Sequence, residues 1–496
     1  MQDLLYRTRT IIASQRFFQS IIVVSVVSAT WIALTGHYPM AFDEDFHLGL
    51  IRVYASHSLP FFSNQPANAD AYGAVARDPS FLYHYIMSFP YRLICLFTQN
   101  EHLQVLILRA LNIALFTSCL PLFRQLLRRA GASAALAHTC LALFVLIPIT
   151  PLMAAQINYD NAVLPLTAWL LLLALETRAT LGREKILILM KIMVIGLTGS
   201  LIKFAFLPIF LAVVAWLFFQ LKPWRMRSKP AVKELLDTFR TRTGGVLLGL
   251  IIVLSLFGLN RYGVNVIRYH DPIPDCGKVL SLDHCKYYGP YIRDYNFSLN
   301  KTNYNTSLYE FSKEWLYGMW LRSTFAVDGP ATQFQTRGPL FIPAITAIIL
   351  PLLGVGAFLW RGRQLLRSNR ASSSLFIAVS TIYVGALWLQ EYKLFKHTGL
   401  PVAINGRYLL LIILLAMFVF GQALSLGLGR LTYLKTGLAT LSIIAMLWGG
   451  GALTYILRSS DAWYWNGGVI KAANHGVQHT IGPVTPGYYR PNAFLR

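Results

Sequence analysis

The sequence predicts an all-α polytopic membrane protein, and three observations carry that prediction. Of 496 residues, 55% are hydrophobic, the mean hydropathy is +0.49, and apolar runs of roughly 17–22 residues recur, each long enough to cross a hydrocarbon core as a helix. A water-soluble enzyme with ordinary surfaces is excluded. Only 13% of residues are charged, and 44 Lys and Arg against 21 Asp and Glu give a formal net charge of +23. These cations fall in short clusters between apolar runs, the distribution that orients spans in a bilayer, so no nucleic-acid partner is expected. The five cysteines show no metal-ligand spacing: Cys95, Cys119 and Cys140 sit in apolar segments, while Cys276 and Cys285 flank a polar stretch of a long loop.

The first span covers 20–34, after Arg7, Arg9 and Arg16. Gly36, His37, Tyr38 and Pro39 follow it at once, with no small-residue cleavage site, so it reads as a retained helix and not a signal peptide. Arginines before it and carboxylates after it put the N-terminus in the cytoplasm. Residues 37–102 form the first external loop. Within it, 43–57 places Phe46, Leu50, Val53 and Tyr54 at the spacing of a short amphipathic helix. Residues 81–97, interrupted by Pro90 and Arg92, read as interfacial or re-entrant, because a full span there would put Arg124, Arg128 and Arg129 outside.

Ten more spans follow with that parity: 103–123, 133–155, 161–175, 186–200, 204–221, 244–259, 338–360, 372–389, 408–424 and 436–457. The total is about eleven spans. The cytoplasmic turns then hold Arg178, Arg183 and Lys185, the run Lys222, Arg225, Arg227, Lys229, Lys233, Arg240 and Arg242, the cluster Arg361, Arg363, Arg367 and Arg370, and Arg430 with Lys435. The chain divides into an N-terminal membrane catalytic module (1–259), an external loop or cap (260–337), C-terminal membrane helices (338–457) and an external tail (458–496).

Candidate chemistry gathers on the external side. Asp43, Glu44 and Asp45 are consecutive in a chain poor in acids, and His47, four residues after Asp43, shares its helix face. Acids also stabilise a first helical turn, but three exceed what a cap requires. The same parity brings Gln156, Asn158, Tyr159, Asp160 and Asn161, then Lys203, then Asn405, Gly406 and Arg407 to this face. Asp160 reads equally as a helix cap, and Lys203 and Arg407 equally as snorkelling cations. As a functional set, Asp43 is the candidate general base, Glu44, Asp160 and His47 its orienting groups, and Lys203 and Arg407 the groups for a departing phosphate. Asp43, Glu44, Asp160 and His47 can also hold a divalent ion, although no ligand set is specified and no cofactor follows.

The strings Phe42-Asp43-Glu44-Asp45-Phe46-His47, Asp78-Pro79-Ser80-Phe81-Leu82-Tyr83-His84-Tyr85, Asn158-Tyr159-Asp160 and Leu201-Ile202-Lys203 occur in an order that resembles the GT-C superfamily of glycosyltransferases. That superfamily includes the aminoarabinose transferases that modify lipid A and the protein O-mannosyltransferases. The Asp43 start and Asn405-Gly406-Arg407-Tyr408-Leu409-Leu410 are similar also to a family of uncharacterised bacterial membrane proteins with this fold. The resemblance implies a GT-C-like fold, a polyprenyl-phosphate sugar donor and Asp43 as catalytic base. Taken with the parity of the spans, this places His47, Tyr83, Lys203 and Arg407 on the substrates at the external face of a bacterial inner membrane. Asp78-Pro79 stands where the transferases often have Lys-Pro or Pro-Pro, and Asp160 lacks the proline that often follows it in the relatives.

The expected function is therefore inverting transfer of a sugar from a polyprenyl-phosphate carrier to an envelope acceptor: lipid A, a polysaccharide or a protein. A lipid or oligosaccharide transporter would carry its ionisable residues at mid-span or show an internal repeat. A polysaccharide polymerase or ligase would lean on external arginines and histidine. The aromatic loop residues Tyr287, Tyr288, Tyr291, Tyr295, Trp315 and Trp320 suit sugar faces or an interfacial belt. Cys276 and Cys285 can close a short disulfide loop in an oxidising compartment.

Overall fold

The computed structural model describes residues 2–40, 43–60, 64–221, 229–300, 307–325, 340–465 and 468–486. Phe42, Lys222, Arg225 and Arg227, all used above, lie outside the described residues. The described residues are helical with no strand; one isolated backbone bridge joins Gly36 to Tyr464.

The chain opens with a helix that its sequence did not suggest, α1 (Gln2–Ala13). Ser14 separates it from α2 (Gln15–Thr35), its hydroxyl accepting the Phe17 N–H as an N-cap. Next come α3 (Glu44–Ala55) and α4 (Leu82–Phe97), packed on each other. Helix α3 buries Leu50 and Tyr54 against Ala69, Val75, Phe81 and Leu201, as its periodicity predicts. Pro90 does not interrupt α4. Arg92 ends α3 instead: its Nε donates to the Ala55 carbonyl (2.9 Å) and its Nη2 to that of Tyr54 (2.9 Å), satisfying acceptors that a helix C-terminus leaves open.

Then follow α5 (Glu101–Arg129), α6 (Ala134–Leu146), α7 (Ile149–Ala155), α8 (Asp160–Glu176), α9 (Gly182–Ile202), α10 (Leu207–Leu221), α11 (Lys229–Phe239), α12 (Arg242–Gly258) and α13 (Val264–Tyr269). The segment between α13 and α18 holds the short α14 (Cys276–Val279), α15 (Leu282–Cys285), α16 (Gly289–Leu299) and α17 (Leu308–Tyr317), with Cys276 disulfide-bonded to Cys285. The chain returns through α18 (Phe341–Ser368), α19 (Arg370–Thr398), α20 (Leu410–Gly427), α21 (Thr432–Leu447) and α22 (Ala452–Arg458), then α23 (Gly468–Ile481).

Nine helices among the described residues are long and apolar enough to cross a membrane, or ten if α6 and α7, bent by 71°, form one span. The expected eleventh is α8, with 17 residues. It packs against α5, α9, α10 and α20, and Val163, Leu164, Ala168, Leu170, Leu171 and Ala174 are fully buried. A helix apolar on every side suits such an enclosed position. Helices α9 and α10 meet where Gly196 lacks a side chain: a Cβ there would lie 2.1 Å from the Phe210 ring. Gly196→Leu is expected to lower stability by about 1–3 kcal/mol through overpacking, read as a lower melting temperature of the purified chain.

Two ends of the bundle differ in charge. At one end Arg129 pairs with Glu176 (3.0 Å) and Arg124 lies over Phe18 (4.5 Å) and donates to His138 (3.0 Å). The other end gathers the beginnings of α3, α8 and α20 and the end of α9. The tail returns to this second end: His37 donates its backbone N–H to Trp463 (2.7 Å), and Trp465 stands over Arg109 (5.2 Å).

Candidate functional site

Asp43 precedes α3 in a left-handed conformation (φ 70°), so it is not part of the helix face. Its carboxylate Oδ2 accepts from Arg407 Nη2 at 2.7 Å; the Asp43 side chain is 55% exposed and that of Arg407 6%. The pair thus presents one face to solvent. Arg407 sits in the short helical turn that opens α20, where Asn405 Oδ1 accepts the Arg407 backbone N–H (3.0 Å) and fixes the turn.

Asp160 begins α8 and makes no cap; its Oδ1 pairs with Lys203 Nζ, and both side chains are buried. Lys203 stands in extended conformation at the break between α9 and the next helical turn, so its stem folds inward and does not snorkel. Two tyrosines receive it: the ammonium lies 4.8 Å from the Tyr159 ring centroid and 4.8 Å from that of Tyr408. The Arg407 guanidinium lies 5.2 Å from the same Tyr408 ring. Cation–π contacts of this kind gain strength when desolvated. One tyrosine therefore joins the Asp43–Arg407 pair to the Asp160–Lys203 pair. Burial, opposed by the Asp160 charge, lowers the Lys203 pKa to about 8.

The other expected residues take different positions. Glu44 is fully buried in a two-pronged pair with Arg109, Nε to Oε1 at 2.8 Å and Nη2 to Oε2 at 2.7 Å. Its oxygens also accept the backbone N–H groups of Met40 (2.8 Å) and Ile157 (3.2 Å), and Arg109 donates to the carbonyls of Ala33 (2.8 Å) and Gly36 (2.7 Å). Glu44 is thus a pin joining α2, α3, α5 and the turn before α8, and the geometry removes it from the reacting set. Tyr83 is likewise buried, donating to Asn112 Oδ1 (2.8 Å), which also accepts from the Asn158 N–H and Asn161 Nδ2 (3.3 Å each). That network shapes the turn carrying Asp160; Tyr83 does not reach the exposed side.

His47 does not share a face with the Asp43 carboxylate. Its Nδ1 meets His84 Nε2 at 2.9 Å, and its ring sits against Tyr159 (4.5 Å, edge-on). Burial, His84 and the nearby cations hold His47 well below the ordinary histidine range, and burial takes His84 to about 3, so both rings are neutral near pH 7. The four candidate metal ligands are not brought together: among the described residues no three His, Cys, Asp or Glu side chains could share an ion. Asp43, Glu44 and Asp160 each face a cation.

Arg109 is a functional residue that the sequence reading misses, although a charge inside an apolar run is costly and demands a partner. Tyr159 and Tyr408 lie in the strings that carry the resemblance, but nothing in the sequence marks their rings as the seat of Lys203.

No described protein family matches the chain, and no curated protein does. Two solved structures similar in outline are both from Archaeoglobus fulgidus. One is the archaeal oligosaccharyltransferase AglB in complex with an inhibitory peptide and a dolichol-phosphate, with TM-score 0.42 and 12% identity over 88% of this chain and 55% of that one. The other is an oligosaccharyltransferase in its apo form, with TM-score 0.38 and 11% identity over 89% of this chain and 56% of that one. The chain spans about half the length of these proteins, and likeness at this level carries no argument about chemistry.

Proposed function

We propose that the chain is an integral-membrane glycosyltransferase of GT-C type that takes a sugar from a polyprenyl-phosphate carrier at the end of the bundle where Asp43 lies. The observation that carries this reading is the pair of cations, Lys203 and Arg407, both about 5 Å from the Tyr408 ring, each held by a carboxylate, with one of those carboxylates half open to solvent. A phosphate entering there meets two fixed positive charges in a poorly hydrated place, where such contacts are strong.

The steps follow from the same geometry. The donor phosphate takes Arg407 from Asp43, and the released carboxylate accepts the proton of an acceptor hydroxyl or amine. The acceptor atom bonds to the anomeric carbon from the face opposite the phosphate, the carbon–oxygen bond to the phosphate breaks, and its electron pair leaves on the phosphate beside Lys203 and Arg407. This is an inverting displacement, with the carrier's tail in the bilayer. The acceptor is an envelope lipid, polysaccharide or protein, and the external face of a bacterial inner membrane is the location that this chemistry and the basic clusters favour.

The test uses the purified full chain in liposomes with membrane-extracted polyprenyl-phosphate sugars, radiolabelled in the sugar. Transfer of label out of the donor onto an acceptor fraction supports the reading. Intact donor moving across the bilayer with its label attached assigns the charged cluster to a transport path and removes the transferase.

A further inference from the structure

The external loop contains several aromatic residues, and the structure separates them. Tyr287 is 62% exposed and lies under Lys286 (5.4 Å). Tyr291 and Tyr295 stack on each other (6.1 Å). Trp315 is buried in the helical core with Phe311. Tyr288 alone among these packs on α3: its ring is 6.1 Å from Phe46, which in turn meets Tyr72 edge-on at 5.9 Å. All three residues are partly buried, and Phe46 follows Asp43 by three residues.

We propose that Phe46, Tyr72 and Tyr288 form a carbohydrate-stacking subsite beside Asp43, so that the acceptor presented to the base is a glycan. The inference rests on the transferase reading for its role, and on the following geometry for its existence.

Two glycines seat the two tyrosines. A Cβ on Gly49 would lie 2.1 Å from the Tyr72 hydroxyl, so the absence of a side chain on α3 lets that ring lie directly on the helix backbone. Gly73, at φ +73°, occupies the left-handed region that favours glycine, and the Tyr288 ring stands 3.0 Å from where its Cβ would be. The loop that delivers Tyr288 is fixed twice, by the Cys276–Cys285 disulfide and by the Asp70–His284 contact at 2.8 Å. A platform held in this way loses little freedom on binding.

The occupant follows from what borders the rings. The Asp43 carboxylate, 55% exposed, and the exposed Asp45 stand at the start of the same helix. Aromatic faces are the negative end of a quadrupole and meet the weakly positive C–H face of a pyranose, while carboxylates accept from its hydroxyl edge. A sugar ring has both faces; an alkyl chain or an anionic phosphate has neither combination. Phe46 follows Asp43 by only three residues, so a sugar stacked on its ring brings a hydroxyl toward the base.

The test is saturation-transfer NMR on the detergent-solubilised full chain with chitotriose, mannotriose and galactotriose as probes. At least one trisaccharide is expected to receive saturation at its ring C–H protons. Tyr288→Phe keeps that signal with Kd within about twofold, and Tyr288→Leu weakens it about tenfold, the loss expected of one aromatic stack with its contact area. Tyr72→Leu repeats the measurement from the other side, and each variant is melted to establish that it is folded. The proposal is overturned if no trisaccharide gives a signal, or if folded Tyr288→Leu and Tyr72→Leu bind as the wild type does. A chain that transfers label to a peptide or lipid and binds no trisaccharide loses this subsite and keeps the transferase. One that binds through Tyr288 and consumes no donor loses the transferase and keeps the subsite.

Discussion

Replacing Arg109 by methionine is expected to destabilise the folded chain by about 3–5 kcal/mol, enough to remove most of the stability of an ordinary domain. The reason is the state of what remains. Glu44 would stay fully buried, with two backbone N–H groups but no cation, and the Ala33 and Gly36 carbonyls at the end of α2 would lose their donor. The double variant Glu44→Gln with Arg109→Met removes both charges and is expected to recover much of the loss, because the penalty lies in the unpaired ion more than in the missing attraction. Glu101→Gln supplies the comparison. Its pair with Arg52 (2.6 Å) is 58% exposed on the glutamate side, so that change is expected to cost less than about 1 kcal/mol. Thermal melting in one detergent measures all three; an Arg109→Met chain that melts with the wild type would refute the pin.

Lys203→Met is expected to act on both stability and turnover. It leaves Asp160 buried without its cation, at a similar cost of about 3–5 kcal/mol, and Lys203→Met with Asp160→Asn is expected to refold that loss without restoring activity. Activity stays low because the departing phosphate has lost one of its two charges, an effect of about 10²–10³ in turnover for a single oriented group.

A pH series separates the two effects in the wild type. The folded chain holds the Lys203 proton less tightly, with a pKa of about 8, than an unfolded chain at the ordinary lysine value of 10.5. Between those values the unfolded state binds more protons, so this group alone makes folding more favourable as pH rises. Donor binding has the opposite sign, since the phosphate needs the ammonium. Donor KM is therefore expected to rise above about pH 8 without a fall in melting temperature, and a KM flat from pH 7 to 10 would remove Lys203 from the phosphate site.

Much of the fold was readable because a bilayer makes hydropathy decisive. Apolar length located the spans, and the 3.6-residue spacing of Leu50 and Tyr54 located α3. Helix α1 escaped because its residues are polar enough to look like a cytoplasmic leader; its packing on α6 and α21 is a tertiary fact. Among candidate site residues, the run of three acids marks Asp43 and topological parity puts Asp160, Lys203 and Arg407 on its face; the structure brings all four around Tyr408. The buried place of Glu44 is not legible, because three adjacent acids look alike in a string. The backbone turns one toward Arg407, one into the protein toward Arg109 and leaves Asp45 exposed. Periodicity could not separate them, since the left-handed φ of Asp43 breaks it at that residue. The sequence places His47 and Tyr83 on the substrates, but their partners, His84 and Asn112, lie 37 and 29 residues along the chain, beyond what local spacing reveals.

The central claim is that Asp43 takes the acceptor proton at a lipid-phosphate site, and Asp43→Asn tests it most directly. Asparagine preserves size and can still accept a hydrogen bond from Arg407, and the side chain is half exposed, so the variant is expected to fold. Transfer of radiolabelled sugar from polyprenyl-phosphate donors is measured for both proteins under one condition with matched melting curves. The account predicts that the wild type consumes donor and that the folded Asp43→Asn chain is slower by about 10²–10⁴, with donor KM changed little. A folded Asp43→Asn chain that transfers sugar at the wild-type rate would contradict it.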